Sequence, residues 1–196
     1  DKPMSERVRA GRMLAALRTA TSPEADLHHI VKSQLTHSGT VKKVDEEFVQ
    51  DLIKGNLDKK QIAATDGLIT NLKNYPLYVS AADCPPVGIY DPEHQAIGAF
   101  HNGIKGLFNR ISENGLAAMT REYGTNPKNV KVVIAPGISQ AYRVGKDVLL
   151  QHKERFPEFE LEKYIQETEN PLIVTFDLSS AIRDSLIRQG VSEENI

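Results

Sequence analysis

The chain of 196 residues contains a single cysteine, Cys84, and no long hydrophobic run. One cysteine cannot form an internal disulfide, and without an apolar run of about 18 residues the sequence predicts no membrane-spanning helix. The first residues, DKPMSERVRAGRM, also lack the apolar segment of a signal peptide. A reducing, cytoplasmic location is therefore the default expectation.

An excess of charge of either sign is also missing. The chain has 24 Lys and Arg residues against 26 Asp and Glu residues, for a formal net charge of -2. Proteins that bind nucleic acid or anionic membranes usually present a basic surface. We therefore expect a small molecule or another protein as the partner, with the chain acting as a monomer or a homodimer.

The length favours one domain over residues 1–196, because the chain can enclose one sizeable core but not two. The first residue is Asp1 rather than Met, and the last residues are VSEENI. These ends leave open that N- and C-terminal segments of a longer protein are missing.

Short apolar runs separated by turn residues predict strands, and longer amphipathic runs predict helices. Val41 and Val44 suggest a strand after the turn at Ser38 and Gly39, and the other strand candidates are GLIT, PLYVSAA, PPVGIYD, AIGAFH, KVVIAP and PLIVTFDL. The helix candidates are residues 5–20, 46–55, 107–123, 145–156 and 179–190. This mixture predicts an α+β protein with a mixed β-sheet flanked by helices.

The stretch AADCPPVGIYDPEHQAIGAFHNGIKG has the pattern of a β-hairpin that turns at DPEHQ. If Tyr90 pairs with residue 95 or 96, Cys84 falls opposite residue 101 or 102. The cysteine and His101 would then share one end of the hairpin. A thiolate beside an imidazole is typical of a metal site, and also of a cysteine nucleophile with its base.

A metal site needs a third ligand, and His37 in QLTHSGTV is the best placed by local chemistry. His37 is predicted at a junction between a loop and a strand. His94 is predicted at the tip of the hairpin and His152 on a polar helix, where histidine side chains are usually solvated. The other histidines are His28, His29, His94 and His152. A thiolate with imidazoles suits zinc, with copper as the alternative.

The segment HNGIKG predicts a turn that leads from a strand into a helix. Free N–H groups at a helix start favour an anion, and Lys105 would add a positive charge. Asn102, Gly103, Lys105 and Gly106 are therefore the candidate phosphate-binding residues. In the alternative interpretation, the two glycines only form the turn.

Taken together, five segments in this order resemble the YfiH-type laccase-domain family, also described as polyphenol oxidoreductases and as purine nucleoside phosphorylases. They are QLTHSG, ATDGLIT, AADCPP, HNGIKG and APGISQAYRVG. The resemblance implies a YfiH-like layered sandwich and a zinc ion bound by His37, Cys84 and His101, which would form the catalytic centre. It also implies phosphate-dependent cleavage of adenosine and inosine, with adenosine deamination as a further activity.

The chain departs from the family pattern where the usual Trp and Arg of H-A-G-W-R-G are Ile104 and Lys105. A lysine cannot reproduce the bidentate contact of a guanidinium. Two other functions therefore stay open. One is a cysteine hydrolase with Cys84 as nucleophile and His101 as base, and the other is a nucleoside-binding protein without catalytic activity. The six histidines are too few for the copper centres of a conventional multi-copper oxidase.

Overall fold

The computed structural model describes residues 31–54, 64–137, 142–155 and 160–196, so the helix predicted over residues 5–20 lies outside them. The strands in these ranges are β1 (Val31–Lys32), β2 (Val41–Lys43), β3 (Gly67–Thr70), β4 (Leu77–Tyr78), β5 (Pro86–Asp91), β6 (Ala96–His101), β7 (Lys131–Ile134), β8 (Arg143–Gly145), β9 (Ile165–Glu167) and β10 (Ile173–Phe176). The helices are α1 (Glu46–Ile53), α2 (Ile104–Phe108), α3 (Ile111–Tyr123), α4 (Lys146–Arg155) and α5 (Leu178–Arg188).

The central sheet has five strands in the order β2-β3-β6-β5-β7. Strands β2 and β3 are parallel, and the other neighbours are antiparallel. A second, antiparallel sheet has the order β8-β10-β9, and β1 pairs with β4 in parallel. The predicted α+β class with a mixed sheet is confirmed. No helix in the described ranges is both long and apolar enough to span a membrane.

Helices cover the central sheet from both faces. Phe100 of β6 is fully buried beneath α3. A Cβ atom on Gly98 or Gly115 would come within 2.5 Å or 2.1 Å of the Phe100 ring, so the absence of side chains at these positions lets helix and sheet approach closely. On the opposite face, Phe48 of α1 packs in one cluster with Leu68 of β3.

The predicted hairpin forms, but the predicted register is wrong by one or two residues. Tyr90 pairs with Ile97, and Pro86 pairs with His101. The Asp91 carboxylate accepts the N–H groups of residues 93 and 94 and closes the turn there, so that β5 continues through Asp91. Continuing this register from Pro86, the residue across from Cys84 is Gly103.

The single helix predicted over residues 107–123 is also wrong, since α2 and α3 are separate. Arg110 between them has a left-handed backbone with φ 58°, which interrupts the helical path. The Asn109 side chain, beside this break, donates to the carbonyl of His37 at 2.8 Å. The break therefore gives the loop before β2 a hydrogen-bond partner.

Three of the described strands, β1, β8 and β9, were not predicted from the apolar runs. Strands β8 and β9 have three residues each, and Val144 is the one buried side chain of β8. They are held by antiparallel pairing on either side of β10. Strands this short carry too little alternation to be recognised without their partner strand.

Candidate active site

The three predicted ligands lie together at the end of β6 where the central sheet meets α2. A Cβ atom placed on Gly103 would lie 2.5 Å from Cys84 Sγ and 3.8 Å from His101 Nε2. The rings of His37 and His101 meet edge to face, with centroids 5.2 Å apart and an interplanar angle of 86°. His101 therefore lies beside both Cys84 and His37, and the three residues come from separate segments of the chain.

His101 is oriented by a backbone hydrogen bond. Its ring is almost completely buried, and Nδ1 lies 2.9 Å from the carbonyl oxygen of Ser80. Because a carbonyl only accepts, Nδ1 carries a hydrogen, and in the neutral ring the lone pair is on Nε2. Nε2 is buried without a hydrogen-bond partner. This arrangement, with one ring nitrogen tied to a carbonyl and the other free, is typical of a metal-binding histidine.

His37 lies on a tight loop in a left-handed conformation, with φ 59°. The carboxylate of Asp66, which directly precedes β3, accepts the backbone N–H groups of Thr36, His37 and Ser38 at 2.7–3.2 Å. The Asn109 side chain holds the carbonyl of His37 from the other side. Hydrogen bonds to its backbone thus determine where this histidine is placed.

The sequence patterns did not identify Asp66 as a functional residue. It is completely buried, and burial alone would raise its pKa. The hydrogen bonds from Ser38, His37 and Thr36 outweigh burial and hold the pKa of Asp66 below its usual value. The signal was present in the family-like segment ATDGLIT, which contains Asp66.

Cys84 is half-buried and has a free thiol. Burial, with a smaller effect from the neighbouring Asp83 carboxylate, raises its pKa above the ordinary value. The metal-free protein therefore carries the thiol form at neutral pH. A thiol of this kind is a weak nucleophile, whereas a bound metal ion would hold it as thiolate.

The donor set fits a metal ion, although the side chains are not already arranged around one. No group of three or more His, Cys, Asp or Glu side chains in the described ranges forms a ready-made metal site. A thiol and two imidazoles are nevertheless the donors that zinc and copper prefer. The buried Nε2 of His101, which has no hydrogen-bond partner, is suited to bind such an ion.

The two remaining histidines in the described ranges do not join this group. His94 lies at the far turn of the hairpin, where Nδ1 contacts the Asp91 carboxylate at 2.9 Å. The ring of His152 stacks on Phe108 with centroids 4.4 Å apart. His28 and His29 lie outside the described residues.

The candidate phosphate turn lies directly beside the three ligands. Asn102 is buried, and its Nδ2 donates to Ser112 Oγ at 2.8 Å. A Cβ atom on Gly106 would lie 2.8 Å from the carbonyl oxygen of His101, so close packing alone explains this glycine. Lys105 is exposed. Phosphate binding by Asn102, Gly103, Lys105 and Gly106 stays a prediction.

The fold and the site define a layered α+β protein with a cysteine and two histidines grouped at the end of its central sheet. The sequence model of the multi-copper polyphenol oxidoreductase laccase family matches residues 4–196. The chain belongs to this family, which confirms the resemblance inferred from the motifs. The description of the family points to metal binding.

Solved structures share this fold. The hypothetical protein YfiH of Bacillus licheniformis superposes with a TM-score of 0.77 and 27% identity, over 92% of this chain and 66% of that protein. YlmD of Geobacillus stearothermophilus gives a TM-score of 0.74 with 25% identity, over 94% of this chain and 66% of that protein. The YfiH-like layered fold is thus confirmed.

Curated relatives carry the names of enzymes. The purine nucleoside phosphorylase YlmD of Bacillus subtilis is 37% identical over 126 residues, which are 63% of this chain and 44% of the relative. The adenosine deaminase RL5 of an unknown prokaryotic organism is 28% identical over 185 residues, which are 93% of this chain and 68% of the relative. The match to the Bacillus subtilis enzyme therefore spans less than half of that enzyme's length.

Proposed function

We propose that this chain carries the active site of a zinc-dependent purine nucleoside phosphorylase, which converts adenosine or inosine and phosphate into the free base and ribose-1-phosphate. The observation that carries the proposal is the His101 ring, with Nδ1 bound to a carbonyl and Nε2 buried and unpartnered. This nitrogen borders the same space as the Cys84 thiol. The names of several relatives support the substrate class.

In the proposed site, His37, Cys84 and His101 hold the metal ion. When bound, zinc would supply a positive charge that polarises an oxygen and makes a bound water more acidic. The Ser80 carbonyl keeps the His101 ring in the tautomer that a ligand needs. Burial of His101 and half-burial of Cys84 limit the access of water to these two ligands.

The turn at residues 102–106 is the proposed phosphate site. Phosphorolysis requires phosphate to be held next to the ribose, and the turn begins at the residue directly after His101. Asn102 Nδ2 donates to Ser112 Oγ, and Oδ1 can only accept, so the contribution of Asn102 to phosphate binding would come from its backbone. The exposed ammonium of Lys105 would provide the balancing charge, as a single point contact rather than a bidentate one.

A second candidate activity is deamination of adenosine, and the extent of the match to RL5 favours it, since it covers 93% of this chain. Both activities would use the same three ligands. The cysteine hydrolase is less favoured, because the raised pKa of Cys84 leaves little thiolate for attack in the absence of a metal ion.

The test is product analysis with zinc-loaded, full-length protein. Adenosine with phosphate should yield adenine, and omission of phosphate should abolish this product while any inosine from deamination persists. His101→Ala should lower the activity by more than about 100-fold, because a metal ligand is lost. His94→Ala is the matched control, since His94 lies at the other end of the same hairpin. The absence of free base from the zinc-loaded protein would refute the phosphorylase.

Cys84 distinguishes the hydrolase from the metal enzyme. If the metal-free protein hydrolyses amides and loses this activity on reaction of Cys84 with a thiol reagent, the cysteine is the nucleophile. Protection of the thiol by stoichiometric zinc would instead identify Cys84 as a ligand. A protein that binds adenosine but forms no product would be the non-catalytic family member.

A further inference from the structure

We infer that Asp66 is a positioning residue, whose buried carboxylate holds His37 in place for metal binding. The inference rests on the proposed metal site, to which it adds a residue outside the three ligands. Asp66 touches no ligand atom of this site. It acts through the backbone of the segment that carries His37.

The first observation is the number of hydrogen bonds that converge on one carboxylate. Oδ1 and Oδ2 of Asp66 accept the N–H groups of Thr36, His37 and Ser38, and the hydroxyls of Thr36 and Ser38 donate as well. Successive N–H groups pointing to one place form a backbone nest, which is an anion-binding arrangement. In this protein the anion is a side chain of the chain itself.

The nest also explains the unusual backbone of His37. A residue with a side chain rarely adopts φ 59°, because the Cβ atom is crowded in the left-handed region. The three N–H groups can converge only if the chain turns in this way. Without an acceptor at Asp66, His37 would favour a backbone conformation with negative φ, and its ring would move away from the ring of His101.

The opposite side of the loop is held by two asparagines. Asn109 Nδ2 donates to the carbonyl of His37 at 2.8 Å, and Asn114 Nδ2 donates to the carbonyl of Gly39 at 2.9 Å. A Cβ atom on Gly39 would lie 2.2 Å from the carbonyl oxygen of Asn109, so the loop is pressed against the break between α2 and α3. The N–H groups and the carbonyls of the loop are thus bound on different sides.

Apolar packing contributes little to holding this loop. His37 and Thr36 are exposed, and Ser38 and Gly39 are only half-buried. The place of the His37 ring, with its centroid 5.2 Å from that of His101, therefore depends on polar contacts, and most of these end on Asp66. Loss of the carboxylate should move this ligand while leaving Cys84 and His101 in position.

The test compares Asp66→Asn with Asp91→Asn in the full-length chain. Asp91 is a matched control because it is also buried, also accepts two backbone N–H groups, and lies at the far end of the hairpin. Zinc affinity is measured by competition with a chelator, and folding by urea unfolding in excess EDTA. Asp66→Asn should weaken zinc binding by about 10–100-fold, and Asp91→Asn by less than about twofold.

Cobalt(II) provides a readout that a general loss of stability would not move. The wild-type protein and Asp91→Asn should give the same visible spectrum, whereas Asp66→Asn should give the weaker bands of a site that has lost one protein ligand. Asn109→Ala, at an exposed position, weakens the loop without burying an unpaired group, and should lower zinc affinity in the same direction even if Asp66→Asn fails to fold.

The outcomes distinguish the role of Asp66 from the existence of the metal site. Equal zinc affinities and cobalt spectra for wild type, Asp66→Asn and Asn109→Ala would overturn the role of Asp66 and leave the metal site standing. Equal losses in Asp66→Asn and Asp91→Asn would also overturn it, because they would show an effect of stability alone. Failure of the wild-type chain to bind zinc would overturn the proposed site together with this inference.

Discussion

Replacing Gly103 by alanine tests whether Cys84 and His101 share the space in which the structure places them. The added Cβ would lie 2.5 Å from Cys84 Sγ and 3.3 Å from Cys84 Cβ, both closer than ordinary van der Waals contact. Gly103 has φ −80°, which alanine adopts without strain. The clash with the thiol therefore decides the effect.

The size of the effect follows from the surroundings of the thiol. Adding one methyl group to a packed site costs about 1–3 kcal/mol of stability. Because the half-buried Sγ of Cys84 can rotate about one bond to relieve part of the clash, we expect the unfolding free energy to fall by about 2 kcal/mol. In a chain of this length that lowers Tm by about 4–8 °C. Cys84→Ala removes the clashing atom, and the double variant should regain about 1–2 kcal/mol relative to additivity.

Urea unfolding of the metal-free wild type, Gly103→Ala, Cys84→Ala and the double variant measures this coupling. Gly88→Ala is the matched control, because a Cβ atom there meets nothing within 4 Å, and it should stabilise the protein by about 0.4–1 kcal/mol. The Gly103→Ala variant should also bind zinc more weakly than wild type. If its unfolding free energy matches the wild type, or if the two substitutions are additive within about 0.5 kcal/mol, Cys84 does not lie beside Gly103.

Three further predictions concern packing, pH and substrate. Gly115→Ala adds a methyl group 2.1 Å from the buried Phe100 ring. It should destabilise the protein by about 1–2 kcal/mol, despite the better helix propensity of alanine. A second change, Phe100→Leu, should recover part of this stability, as measured by thermal unfolding. Burial alone would raise the pKa of Asp91, but hydrogen bonds, including those from His94 and Glu93, outweigh burial and hold the pKa below its ordinary value of 3.8. The stabilising effect of Asp91 is therefore complete above the unfolded pKa of 3.8 and is lost as the pH falls through the lower pKa of the folded protein. The difference in unfolding free energy between wild type and Asp91→Asn should therefore narrow as urea titrations are moved from about pH 6 to pH 3, and a constant difference would contradict the assignment. Lys105→Ala should raise the KM for phosphate about tenfold with little change in the KM for nucleoside, because a charged contact to the anion is lost, and equal changes in both would place Lys105 outside the phosphate site.

The sequence was sufficient for the main strands and for the class of fold. The runs GLIT, PPVGIYD and AIGAFH have strong apolar patterns bounded by turn residues, and all three are strands of the central sheet. The register of the hairpin was less predictable, because it depends on the Asp91 side chain closing the turn. The break at Arg110 depends in the same way on a backbone conformation that composition does not reveal.

The candidate site was predictable in part. Cys84 and His101 are joined by a local hairpin, so their spacing alone indicated that they meet, even with the register in error. His37 was singled out by its place at a junction between a loop and a strand, and the family resemblance strengthened this choice, since a loop histidine is usually solvated. Asp66 lies in the family-like segment ATDGLIT, but that segment alone does not show its role, which arises from backbone groups that point toward it only in the folded chain.

The wide separation of the three proposed metal ligands along the chain has a consequence for how the site would form during folding. Cys84 and His101 flank a local hairpin, whereas His37 is bound to Asn109, which is 72 positions away. Closing a long loop costs more entropy than closing a short one, and long-range pairing is slow. During refolding a weak two-ligand metal site should thus arise with the hairpin, and tight binding should follow only when β3 pairs with β6. The rate at which zinc becomes resistant to a chelator would then report the docking of the N-terminal part of the sheet.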